Sequence, residues 1–265
     1  MRFLICLLTF SFMGGCGTAA SSAVSTTHPA DIVATTDAAS GSDTAGVSDA
    51  AAEVAGDVSN SDAASDGAGK STPWGPISGA CGVLAGELAS PQPSFYVNTW
   101  KFDVGGPFDP KPLRPGAQAR YSGPNAGGSS KCSETMSMQL LYECEGAVTL
   151  KTETEISYAV AGDITDWLAS FGGAKIGVSV TRAYMGPTIE TYNESDATTL
   201  LKKKLGGVLK STANVAPADK WQKQIVHIWT LHADWVPTLQ TAWQNLDAAT
   251  KANTIRVGSA TAFST

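Results

Sequence analysis

The chain has 265 residues, a net charge of −6 and only 16% charged residues, enough length for one good hydrophobic core but no broad cationic surface. The acidic excess sits in the first 72 residues, and from residue 73 onward acids and bases balance. That balance excludes tight, purely electrostatic binding of duplex DNA, which needs many phosphate contacts; it leaves room for a small basic cleft.

At the start, Met1 and Arg2 precede an apolar run from Phe3 to Phe12, closed by Met13, Gly14, Gly15 and Cys16. The run is too short to span a bilayer and has the build of a secretory signal. Gly14-Gly15-Cys16 resembles the lipobox of bacterial lipoproteins. The resemblance implies a signal peptide of residues 1–15, cleavage before Cys16, acylation of Cys16, and a mature chain anchored by lipid with no transmembrane helix. Gly17 stands where an inner-membrane retention signal carries Asp, which implies the outer membrane of a bacterial cell envelope. Residues 16–72 are then a tether. From Gly17 to Thr72 there is no aromatic residue, and Asp31, Asp37, Asp43, Asp49, Glu53, Asp57, Asp62 and Asp66 face one base, Lys70. Such a composition cannot bury enough apolar surface to offset the entropy of ordering.

Residues 73–265 hold every Trp and Tyr and form the folded domain. Pro and Gly crowd 73–130, predicting a layer of loops in which only Ser94–Asp103 reads as a strand. Ser130 or Ser133 caps a helix with Met136, Leu140, Cys144 and Val148 along one face. Strands follow at Lys151–Val160, Thr165–Ser170 and Lys175–Tyr184, the last with Ile176, Val178 and Val180 on one side. A helix spans Ser195–Lys210, a strand Lys223–Leu231, and Asp234 caps a helix bearing Val236, Leu239, Trp243 and Leu246. A short strand at Thr254–Val257 closes the chain. The order is α-β-β-β-α-β with an α-β extension, an α/β fold in which a mixed central sheet is flanked by helices. Trp221, Trp229, Trp235 and Trp243 fall within packed elements and belong to the core.

Three cysteines fall in the domain. Cys132 and Cys144 on one helix are about 18 Å apart, too far to bond. Cys81 paired with either Cys132 or Cys144 is the expected disulfide, leaving one buried thiol. No CxxC pair exists, and His227 and His232 are remote from any cysteine, so a zinc site is not indicated.

The element order resembles the core of the restriction-endonuclease-like, or PD-(D/E)XK, superfamily over about 130–231. Lys151-Thr152-Glu153-Thr154-Glu155 and Gly177-Val178-Ser179-Val180-Thr181-Arg182-Ala183 also resemble segments of uncharacterised myxobacterial-type lipoproteins and some eukaryotic proteins. This second resemblance covers most of 73–265 and brings no activity with it. The nuclease resemblance implies a helix glutamate, an Asp opening the second strand and an acid-x-Lys on the third, around one or two Mg2+ or Mn2+ ions. Glu134, at the edge of the buried arc, and Asp166 take the first two places as metal ligands. On the third strand, alternation puts Ser179-x-Thr181 where acid-x-Lys belongs. Arg182 supplies a cation there but no base, and Glu153 or Glu155 on the neighbouring strand replaces the missing acid. Gly127, Gly128, Ser129 and Ser130 lead into a helix start able to hold an anion, and Lys203 and Lys204 could steer one. His227, in an apolar strand, reads as structural.

These features place three functions side by side. The first is a lipid-anchored protein binding a ligand or an unknown protein partner, without a certain cofactor. The second is a metal-dependent nuclease or phosphodiesterase acting on nucleic acid. The third is a structural envelope protein.

Overall fold

The computed structural model describes residues 69–103, 108–123, 130–186 and 191–263. The signal, Cys16, almost all of the tether, and Gly127, Gly128 and Ser129 lie outside the described residues.

Among the described residues the strands are β1 (Ile77–Gly79), β2 (Ser94–Phe102), β3 (Val148–Thr152), β4 (Trp167–Phe171), β5 (Ala174–Ala183), β6 (Lys223–Thr230) and β7 (Ile255–Phe263). They form one mixed sheet in the order β1-β2-β7-β6-β5-β4-β3. Strands β2, β7, β6 and β5 pair in parallel, whereas β1, β4 and β3 join antiparallel at the edges. The helices are α1 (Leu84–Glu87), α2 (Pro115–Ser122), α3 (Lys131–Glu145), α4 (Glu194–Asn214), α5 (Trp235–Gln244) and α6 (Ala248–Lys251).

Parallel neighbours need crossovers, and α4 between β5 and β6 and α5 between β6 and β7 supply them. Both cover one face, where Leu201, Leu205, Val208, Leu239 and Trp243 pack with Val226 and Ile228. The other face receives α3: Met136, Met138 and Leu140 pack on Ile176, Val178 and Val180 of β5, with Trp167, Trp100 and Trp229 beside them. The predicted alternation of β5 is therefore real. Its Gly177 is required by packing, because a Cβ there would lie 2.6 Å from the Trp221 indole. All four tryptophans assigned to the core are buried.

Several sequence expectations need correction. The helix opening the core ends at Glu145, not at Val148. Gly146 takes the left-handed conformation (φ 70°), its N–H closing back onto Leu141 and Tyr142 carbonyls, and Val148 begins a strand with half its surface exposed. The next strand then stops at Thr152, not Val160. The Glu155 carboxylate accepts the Thr152 N–H and hydroxyl, both at 2.8 Å, and turns the chain there. The Pro/Gly-rich layer is also more regular than expected. It contributes β1, α1 and α2, the last started by Pro115 at its first turn, where a missing N–H costs nothing. Finally, β7 extends to Phe263 and lies inside the sheet between β2 and β6. Its small residues Gly258, Ser259 and Ala260 gave no apolar strand signal.

Cys81 is bonded to Cys144. Beside this bridge the Glu145 carboxylate accepts N–H groups from Gly82 and Leu84, each at 2.9 Å, fastening the loop layer to the end of α3. On the sheet, the buried Lys223 ammonium donates to the Glu87 and Ser90 carbonyls at 2.6 and 2.8 Å and so ties the same layer to β6.

Candidate metal centre

Strand register builds this site. The β3–β4 ladder ends at the pair Thr152–Trp167, so Glu153 and Asp166 are the next residues out on the two strands. Beyond Asp166 strand β5 runs past the end of β4, and among the described residues the Val180 peptide has no strand partner on that side. Asp166 fills the gap: its Oδ2 accepts the Val180 N–H at 2.6 Å and the Ser179 hydroxyl at 3.0 Å. The Lys204 ammonium, reaching over from α4, lies 3.5 Å from the Val180 carbonyl.

Glu134 reaches the same place from the first turn of α3 on the opposite face. It is fully buried, not at the rim that the helix projection suggested. Burial is possible because α2 carries Arg120, itself 2% exposed, whose Nε donates to Glu134 Oε2 at 2.5 Å. The same guanidinium extends Nη2 to Glu153 Oε1 at 3.4 Å. Carboxylate oxygens of Glu134, Glu153 and Asp166 all lie within 4.8 Å of one another. The second oxygen of Glu134 is buried with no hydrogen-bond partner among the described residues.

An orphaned buried carboxylate oxygen is costly unless it faces a cation. Burial, and next the neighbouring Glu134 charge, push the Asp166 carboxyl up to about 6, against opposing contributions from the Val180 N–H, Lys204 and Ser179. A divalent ion would relieve both strains. Oxygen ligands at this separation suit hard cations such as Mg2+ or Mn2+, and solvent reaches the cluster by way of Glu153 and Asp166, which are only partly buried.

The other sequence candidates fall in different places. Glu155 is not in the cluster; it is exposed, bonded to Thr152, and held below the usual carboxylate range by those hydrogen bonds. Glu153 stands in its place. What separates them is the end of β3 at Thr152 and the Glu155–Thr152 turn beyond it, which apolar alternation does not reveal. Ser179 is buried and positions Asp166, while Thr181 is half-buried one turn of the pleat further on. Arg182 lines a shallow cavity with Tyr184, Trp229, Thr230 and Thr261 at the carboxyl ends of β5, β6 and β7. Ser130 occupies the N-cap position of α3 without a side-chain cap bond. Lys203 is exposed, and of the lysine pair Lys204 alone approaches the cluster. Arg120 was missed altogether, since its helix lay in the presumed loop layer.

His227 is a structural histidine. Its Nδ1 lies 2.7 Å from Ser137 Oγ and its Nε2 2.7 Å from Ser259 Oγ. Because Ser259 donates its proton to Asn98 Oδ1, Nε2 must carry the imidazole hydrogen and Nδ1 accepts from Ser137. Burial, with Arg256 second, pushes the imidazole down to about 3, so it stays neutral.

Comparison with known proteins adds one relative. The chain is similar to the AAC-rich mRNA clone AAC4 protein of Dictyostelium discoideum, 38% identical over 149 residues. The match takes in 54% of this chain and 22% of that protein, so it spans about a fifth of the relative's length. No family model and no solved structure matches the chain.

Proposed function

We propose that residues 73–265 form a divalent-metal-dependent phosphodiester hydrolase on a nuclease-like scaffold. The observation that carries this reading is the convergence of Glu134, Glu153 and Asp166 from three separate elements, with one Glu134 oxygen buried and unpartnered. The order of α3, β3, β4, β5, α4 and β6 supports it, since the helix glutamate and the Asp opening the second strand take the places that the nuclease resemblance implies. Glu134, Glu153 and Asp166 would hold the ion. Once bound, the ion supplies Lewis acidity toward a phosphoryl oxygen and toward water. Ser179 and the Val180 N–H fix the Asp166 carboxylate, Arg120 fixes Glu134, and Lys204 presents positive charge to an approaching phosphate.

A binding-only protein is the second reading, favoured by one observation: Ser179-x-Thr181 stands on β5 without the acid and lysine of the nuclease pattern, and Ser179 is occupied with Asp166. For location we propose the bacterial cell envelope, through acylation of Cys16 ahead of an acidic tether. The Cys81–Cys144 disulfide suits an oxidising compartment. Among the described residues no helix is long and apolar enough to cross a membrane.

The test is hydrolysis of single- and double-stranded DNA, RNA and bis-p-nitrophenyl phosphate with Mg2+ or Mn2+, alongside Asp166→Ala. Metal-dependent cleavage lost in Asp166→Ala supports the hydrolase. No cleavage of any substrate by the wild-type chain, with metal binding intact, favours the binding protein. Labelling with radioactive palmitate, lost in Cys16→Ser, tests the anchor separately.

A further inference from the structure

Resting on the hydrolase reading, we infer that Arg120 sets the ion count of the site to one: its guanidinium takes the place that a second divalent cation would need. Charge, geometry and commitment of the ligand atoms lead to the same conclusion.

Three carboxylates offer at most three negative charges. Arg120 answers one directly through Glu134 and Glu153. Lys204 stands beside the cluster, its ammonium 3.5 Å from the Val180 carbonyl. With the Arg120 charge set against the three carboxylates, two negative charges remain, and one divalent ion matches them. Two would bring four positive charges beside two resident cations, one of them only 2% exposed. A buried like-charge excess of that size has no compensation among the described residues around the cluster.

Distances agree. Two oxygens bound to one Mg2+ or Mn2+ ion lie at most about 4.2 Å apart, twice a ligand distance of roughly 2.1 Å. The cluster spans 4.8 Å, so small side-chain adjustments close it around one ion. A two-ion site places its metals about 3.5–4 Å apart, nearly the whole span of these three ligand atoms. The ligand atoms are committed as well. Glu134 Oε2 is held by Arg120 and Asp166 Oδ2 by Val180 and Ser179. Asp166 Oδ2, already accepting two hydrogen bonds, is thus filled and cannot bridge a second metal, and the unpartnered Glu134 Oε1 is the oxygen turned to an ion.

The experiment is a Mn2+ titration of the full chain, read by electron paramagnetic resonance and by calorimetry. The expected result is about one tight ion per chain with an uncoupled Mn2+ spectrum, and at least a tenfold loss of affinity in Glu134→Gln. Two tight ions, or an exchange-coupled spectrum from the wild-type chain, would overturn the inference, and this arm requires no variant. In Arg120→Met, if it folds, loss of the guanidinium is expected to admit a second ion with spin coupling; a folded Arg120→Met that still takes one also overturns the assigned role. Absence of any tight Mn2+ in the wild type is a different failure: it removes the metal-dependent reading itself, and the count with it.

Discussion

Asp166→Asn gives the sharpest separation between a metal ligand and an ordinary structural carboxylate. The substitution removes a charge but keeps an oxygen that can accept the Val180 N–H and the Ser179 hydroxyl. In the folded protein the Asp166 carboxyl is raised from 3.8 to about 6, so the native state binds a proton more readily than the unfolded chain. Stability of the metal-free protein therefore falls as pH rises through the window from about 4 to 6, and the penalty is complete above it. Roughly two units at about 1.36 kcal/mol each amount to nearly 3 kcal/mol, and the residual solvent contact of Asp166 trims this to about 2 kcal/mol. In urea denaturation with EDTA, followed by tryptophan fluorescence, Asp166→Asn should be more stable than wild type by about that amount at pH 7.5. The two should converge near pH 3.5. Millimolar Mn2+ should reverse the order, because an ion at a hundred times its dissociation constant stabilises the wild type by about 2.7 kcal/mol and the variant hardly at all. If Asp166→Asn proved less stable than wild type at pH 7.5 without metal, the reasoning would be refuted, for the carboxylate would then be already compensated within the protein.

Other consequences follow from the same contacts. Arg120→Met leaves Glu134 buried and unpaired, and equilibrium denaturation should show a loss of about 3–5 kcal/mol. Glu153→Gln should weaken Mn2+ binding in calorimetry while Glu155→Gln leaves it unchanged, since Glu155 serves the Thr152 turn; equal effects would contradict the placement of the third carboxylate. Cys144→Ser opens a loop with a separation of 63 residues, and denaturation under non-reducing conditions should show a loss of roughly 4 kcal/mol.

Much of the architecture was legible in the sequence, for physical reasons that can be named. Ile176, Val178 and Val180 alternate with Gly177 and Ser179, and that period alone placed β5 correctly with one apolar face on α3. The long helix showed itself through Leu201, Leu205 and Val208. Asp166 was found because it opens a strand. The failures are equally specific. Val148 continued the apolar stripe of α3 in projection, although Gly146 had already ended the helix in a left-handed turn. Strand β7 was legible only in its first residues, because Gly258, Ser259 and Ala260 are small, and its place between β2 and β6 rests on non-local pairing that no local pattern announces. The depth of Glu134 was invisible without Arg120, and Arg120 was hidden in a Pro/Gly-rich stretch that turned out to hold α2. The choice between Glu153 and Glu155 depended on where β3 ends, at Thr152, beyond which Glu155 turns back to bond Thr152.

The most direct measurement is anomalous diffraction from crystals of this protein grown with Mn2+, compared with Glu134→Gln crystals. The account predicts a single anomalous peak bounded by Glu134, Glu153 and Asp166, and none there in the variant. A wild-type map with no peak at that position, while the three carboxylates keep their arrangement around Arg120, would contradict it and leave the cluster as a buried ion pair.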